Sequence, residues 1–183
     1  MQVFTVVTSL FVLAGCAWNA LVYARAGQGM PTARPRSVAS FPSFRIVHQL
    51  VRLMPVVCAM VGLWAPNSRA ALFLFSSSRT IVLNGILIGL FGLAVSSWAI
   101  ATLGPCYSPC YDARQPPYIV KTGPYRFVSH PIYLGNLIAL AGLFLIGPSA
   151  WTLLAISTST VYYTLAAAAE TRELRPQRKR THV

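Results

Sequence analysis

The stretch from Thr80 to Leu103 carries no charged side chain, and at more than the roughly 20 residues that an apolar helix needs to cross the hydrocarbon core, it reads as a membrane span. Val3 to Tyr23, Ile132 to Gly147 and Trp151 to Ala169 have the same character. A further apolar region between Phe44 and Phe75 is interrupted by Arg45, His48, Arg52, Pro55 and Arg69. Its predicted span is Val51 to Pro66, with Ala70 to Phe75 either prolonging that helix or lying in the interface. Between the first two spans, Gly27, Gly29, Pro31, Pro35 and Pro42 break any helix, and Arg25, Arg34 and Arg36 make the linker basic.

Composition then excludes whole classes. With 55% hydrophobic and 10% charged residues the chain cannot clothe a water-facing domain, and its net charge of +12 lies in linkers and in the C-terminal tail. A basic nucleic-acid binder would spread its cations over folded faces with interleaved aromatics. Here the cations mark topology. Five spans put the termini on opposite sides, and a cytoplasmic C-terminus leaves only Arg69 and Arg79 of the 15 Lys and Arg outside. Asp112, Glu170 and Glu173, the only acids, then also face the cytosol. The small-residue box Leu13-Ala14-Gly15-Cys16 looks like a lipoprotein cleavage site, but no Lys or Arg precedes it and the apolar run continues through Trp18 and Leu21, as in a retained helix.

The expected fold is therefore all-α: a polytopic membrane helix bundle of about five transmembrane helices with a C-terminal helical hairpin and a cytosolic cofactor pocket. Residues 1–79 hold the first two spans and the basic linker, 80–174 the core, and 175–183 a basic tail. Glycines 85, 89 and 92 recur at helical spacing, which allows another helix to approach closely. Asn84 and Asn136 are read as interhelical hydrogen-bonders, and Trp18, Trp64, Trp98 and Trp151 as interface anchors. Cys16 and Cys58 are packing residues. Cys106 and Cys110, spaced C-x3-C near Asp112 and His130, lack the usual C-x2-C spacing and a second pair, so no metal site is expected.

Chemistry concentrates in the loop from Gly104 to Ser129. Pro116-Pro117-Tyr118-Ile119-Val120 is a stiff extended piece, Gly123-Pro124-Tyr125-Arg126 a turn, and His130-Pro131 the start of a helix, where free N–H groups attract an anion. The hairpin closed by Gly147-Pro148-Ser149 returns the fifth span to the face where the fourth begins, so His130, Tyr133 and Glu170 are expected to converge. Each also has a simpler reading: interfacial tyrosines, a histidine capping the helix, and a Glu170 at a helix C-terminus paired by Arg172.

Taken together, Gly-Pro-Tyr-Arg-x-x-x-His-Pro-x-Tyr-x-Gly at Gly123 to Gly135 and Glu170 with Leu174 resemble the isoprenylcysteine carboxyl methyltransferase family and its phospholipid methyltransferase-like relatives, over about Trp98 to Leu174. The resemblance implies an S-adenosylmethionine-dependent enzyme of the membrane, with a lipophilic acceptor entering from the bilayer. It implies a cytosolic cofactor site built from Pro117, Tyr118, Ile119, Val120, Tyr125, His130, Pro131, Ile132, Tyr133 and Glu170, with His130 and Tyr133 as the catalytic pair. Three positions depart from the pattern. Ser129 stands where the family usually has Arg, Thr171 where a second Glu usually follows, and Ala166 where the carboxyl methyltransferases carry an arginine implicated in the substrate carboxylate. Alternatives to a prenylcysteine acceptor are thus a small thiol, a phospholipid amine, or a scaffold without turnover. A transporter is disfavoured because the spans hold almost no charge.

Overall fold

A computed structural model describes residues 2–26, 46, 50, 53, 57, 77–107 and 118–180. Four long helices make up the described fold: α1 over Gln2–Ala26, α2 over Arg79–Leu103, α3 over Pro131–Ile146 and α4 over Ala150–Arg180. No β-strand occurs among the described residues. α2 and α4 (as far as Arg172) are long and apolar enough to cross a membrane, while α3 is a shorter apolar helix. α1 covers the first predicted span. Of the second predicted span only Leu53 and Val57 are described, both helical and exposed; the rest of it lies outside the described residues, as does the basic linker after Arg25 and Ala26, which end α1.

α2 starts where the Ser78 hydroxyl accepts the Ile81 N–H (3.4 Å), a standard way to satisfy a free donor in the first turn. Its buried face runs through Val82, Gly85, Gly89, Gly92 and Ser96. Three of these are glycines for a geometric reason. A Cβ on Gly85 would lie 2.8 Å from the Gly142 carbonyl of α3, and one on Gly135 would lie 2.7 Å from both the Gly92 carbonyl and the Ser96 nitrogen. α2 and α3 therefore run antiparallel with backbone against backbone, as small residues permit in membrane helices. Gly89 instead receives the Phe11 ring of α1, and Trp18 of α1 donates its indole N–H to Ser97. Trp18 thus has a protein partner on α2 beyond the interface role expected of it.

The link from α3 to α4 is the predicted Gly147-Pro148-Ser149, and it is buried. Ser149 Oγ accepts the Thr152 N–H at 3.1 Å while Thr152 Oγ1 accepts the Ser149 N–H at 3.0 Å. This reciprocal cap starts α4 and closes the hairpin. α4 then runs past the predicted border at Ala169, through Glu170 to Arg180, so part of the expected tail is helical. Loss of apolarity set that border. Glu, Arg and Leu nevertheless favour helix, and backbone geometry follows that preference rather than hydropathy as far as Arg175; helix propensity does not explain the continuation past Pro176. Glu170 accordingly lies within a helix, not at its C-terminus as expected.

Candidate functional site

The site is assembled at one end of the bundle, where α2 ends, α3 begins and α4 passes. Gly104 closes α2 at φ 48°, donating its N–H to the Ile100 carbonyl. The chain returns to the same place in the 3₁₀ turn Gly123–Arg126, whose Pro124 is buried. Gly123 has φ 56°, and a Cβ there would meet Thr102 Oγ1 at 2.8 Å, so glycine lets the turn rest on the last turn of α2. Phe127 and Val128 both donate to the Pro124 carbonyl at 3.1 Å, which fixes the approach to His130.

His130 precedes Pro131 at the head of α3, and its side chain makes no capping hydrogen bond to the helix. It reaches across to α4 instead. Nδ1 lies 3.4 Å from Glu170 Oε2 and Nε2 lies 3.0 Å from Thr171 Oγ1. In the tautomer with its proton on Nδ1, facing the carboxylate, Nε2 is free to accept from the threonine hydroxyl. Tyr133, one turn into α3, donates its hydroxyl to the same Glu170 oxygen at 3.3 Å. One carboxylate oxygen thus gathers an imidazole and a phenol. The two sides of the site remain partly open, with the His130 and Glu170 side chains 20% and 29% exposed.

The cluster continues into the bundle. The His130 and Tyr133 rings stack at 5.6 Å with an interplanar angle of 11°, and Tyr133 stacks on Tyr163 of α4 at 5.1 Å and 12°. Asn136 donates to the Tyr163 hydroxyl at 3.4 Å and accepts from Ser96 of α2 at 3.1 Å. Asn136 therefore bonds between helices as expected, whereas Asn84 is exposed. Ser96 and Tyr163 are not singled out by the sequence, and Thr171 stands there only as a departure from the family pattern. Their signal is spacing: Tyr163 lies two helical turns before Glu170, on the same face of α4.

The remaining expected site residues are placed as follows. Pro131 is buried and Ile132 half-buried in the first turn of α3. Tyr125 is half-buried in the 3₁₀ turn. Ile119 and Val120 are half-buried, while Tyr118 is exposed and touches the thiol of buried Cys106. That hydrogen bond, and then repulsion between the two ionisable groups, raises the Tyr118 pKa above the ordinary phenol value. Pro117, Cys110 and Asp112 lie outside the described residues, as does the Leu174 side chain. Ala166 is buried at the position where a carboxylate-binding arginine would stand, and Arg172 is exposed.

Neither the curated proteins nor the solved structures yield a match. The family comparison does: the phospholipid methyltransferase family matches residues 80–176, from the first turn of α2 to beyond Glu170 on α4. This interval contains Ser96, His130, Tyr133, Asn136, Tyr163, Glu170 and Thr171, and it is more than half of the 183-residue chain. The chain belongs to the phospholipid methyltransferase family, the group of membrane methyltransferases that includes those resembling isoprenylcysteine carboxyl methyltransferase.

Proposed function

We propose that this protein is an integral membrane methyltransferase that uses S-adenosylmethionine to methylate a lipophilic acceptor, with its donor site at the cytosolic end of α2, α3 and α4. The observation that carries the reading is the meeting of His130 and Tyr133 on one Glu170 oxygen, at 3.4 and 3.3 Å, inside the family-matched interval. The donor set suits the cofactor. A carboxylate can receive its ammonium or ribose hydroxyls, and aromatic rings favour a cation.

When bound, S-adenosylmethionine supplies an electrophilic methyl group on a positively charged sulfur. Glu170, Tyr125, His130 to Tyr133 and the segment Pro117 to Val120 are the residues that would hold it. The chain's own task is then chiefly to position two reactants in a place poor in water. The ring of Tyr133 is engaged by His130 and Tyr163, and its hydroxyl by Glu170. Its part is therefore to fix Glu170 rather than to offer an unoccupied ring. His130 is oriented at both nitrogens, and the Thr171 hydroxyl stands at Nε2, the atom that would accept a proton from an amine or thiol.

Ala166 favours a second reading of the acceptor. A carboxylate acceptor needs a nearby cation, and Ala166 offers none. A phospholipid amine or a lipid-soluble thiol needs a base instead, which His130 provides. Membranes holding the protein should be incubated with methyl-labelled S-adenosylmethionine and extracted into lipid, volatile and protein fractions. Label in the lipid fraction supports the proposal, and the headgroup that carries it decides between the acceptors. Folded protein that labels no fraction contradicts it.

A further inference from the structure

Phe127 is the most exposed large apolar side chain among the described residues, at 78%, and it belongs to none of the helices. Val128 beside it is 40% exposed, Arg126 and Lys121 are exposed, and Tyr118 is exposed at 60%. The corner is held firmly. Its backbone is tied to the Pro124 carbonyl, and the turn rests on Thr102 through Gly123. A rigid apolar tip with cations beside it is a poor ending for a loop in water.

Helix length says where this corner sits. α3 has 16 residues, so it is about 24 Å long, against a hydrocarbon core of about 30 Å. If the Gly147-Pro148-Ser149 turn lies at one border of the core, a helix of this length puts the head of α3 at or inside the other. Phe127, four residues before Pro131, is then level with the lipid headgroups.

We infer that Phe127 and Val128 form a wedge inserted between lipids at the rim of the His130–Glu170 site, held down by Arg126 and Lys121 on anionic headgroups. The apolar pair meets the acyl boundary and the two cations meet phosphate, the arrangement of an interfacial anchor. This rests on the membrane placement of the chain and not on methyl transfer.

The test is a depth measurement on the full chain. The four cysteines are replaced by alanine, and a nitroxide is attached at Phe127→Cys, with Leu134→Cys on α3 as a bilayer reference. The protein is reconstituted in mixed phosphatidylglycerol–phosphatidylcholine vesicles, and collisions with oxygen and with a water-soluble nickel chelate are compared. The label at 127 should lie about 5–10 Å into the interface of headgroups and acyl chains. It should become shallower in pure phosphatidylcholine, and Arg126→Gln with Lys121→Gln should abolish that lipid dependence. A label at 127 that meets nickel freely while 134 does not would overturn the wedge. Equal depth in both lipids would overturn the role of the two cations, and a nickel-accessible 134 would overturn the membrane placement itself. Should the cysteine-free chain fail to fold, Phe127→Trp in the native background answers the same question. Added quenching by brominated lipid, relative to the unsubstituted protein, supports the wedge, and no added quenching overturns it.

Discussion

The two faces of α3 are packed by opposite means. Toward α2, glycines bring the backbones together, with room for no Cβ at Gly92, Gly135 or Gly142. Toward α4, rings and polar side chains hold the helices through Asn136–Tyr163, Tyr133–Glu170 and His130–Thr171. The first face is a seam and the second the candidate site. A backbone seam fixes register but has no side chains with which to do chemistry. A face built from a carboxylate, an imidazole and phenols costs desolvation unless its members satisfy one another, and such groups at membrane depth usually mark function.

The sharpest way to break the comparison is to add volume to the seam. Gly92→Val places a Cβ against the Ala139 backbone nitrogen and 2.6 Å from the Gly135 carbonyl, neither of which can turn aside. We expect a loss of about 3 kcal/mol or more of stability, read as collapse of the monodisperse peak in detergent and a lowered unfolding temperature. The same exchange at Leu134, exposed on α3, should leave both unchanged.

On the other face the expected effects fall on ligand rather than fold. Glu170→Ala removes the acceptor shared by His130 and Tyr133 and should weaken S-adenosylmethionine binding by roughly tenfold or more, about 1.5–3 kcal/mol for hydrogen bonds to a charged group. The unfolding temperature should move far less than in Gly92→Val. Calorimetric titration in nanodiscs reads the affinity, and an unchanged value would return Glu170 to a structural role.

These two faces were not equally legible in the sequence. The seam could be read because Gly85, Gly89 and Gly92 recur at helical spacing within one apolar run, and the hairpin because Gly147-Pro148-Ser149 breaks another. His130, Tyr133 and Glu170 could be linked because that hairpin folds one helix back on the next. Thr171 escaped notice as a ligand of His130 since it stood only as a departure from a motif, and Tyr163 since a tyrosine in a span looks like any interfacial aromatic. Both act through partners on another helix, and sequence neighbours carry no trace of those. The end of α4 was misplaced because hydropathy marks where lipid stops, not where a helix does.

Smaller effects sharpen the polar face. Tyr163→Phe removes the bond from Asn136 and should cost about 1 kcal/mol; Asn136→Leu removes that bond and the one from Ser96 and should cost more, and the pair should cost less than the sum because both break the Asn136–Tyr163 contact. The smallest expected change is at Thr171. Thr171→Ser keeps the hydroxyl at Nε2 and should behave as the unsubstituted protein, while Thr171→Val should alter the tautomer balance of His130. Nitrogen chemical shifts of the labelled imidazole read that balance directly.

The account turns on whether the imidazole of α3 and the carboxylate of α4 serve one ligand. A double-mutant cycle in S-adenosylmethionine affinity, with His130→Ala, Glu170→Ala and the double variant in nanodiscs, measures this without knowledge of the acceptor. Losses that fall short of additivity by about 1 kcal/mol or more are predicted, as for groups 3.4 Å apart in one network. Strictly additive losses, or no loss in either single variant, would contradict a shared site.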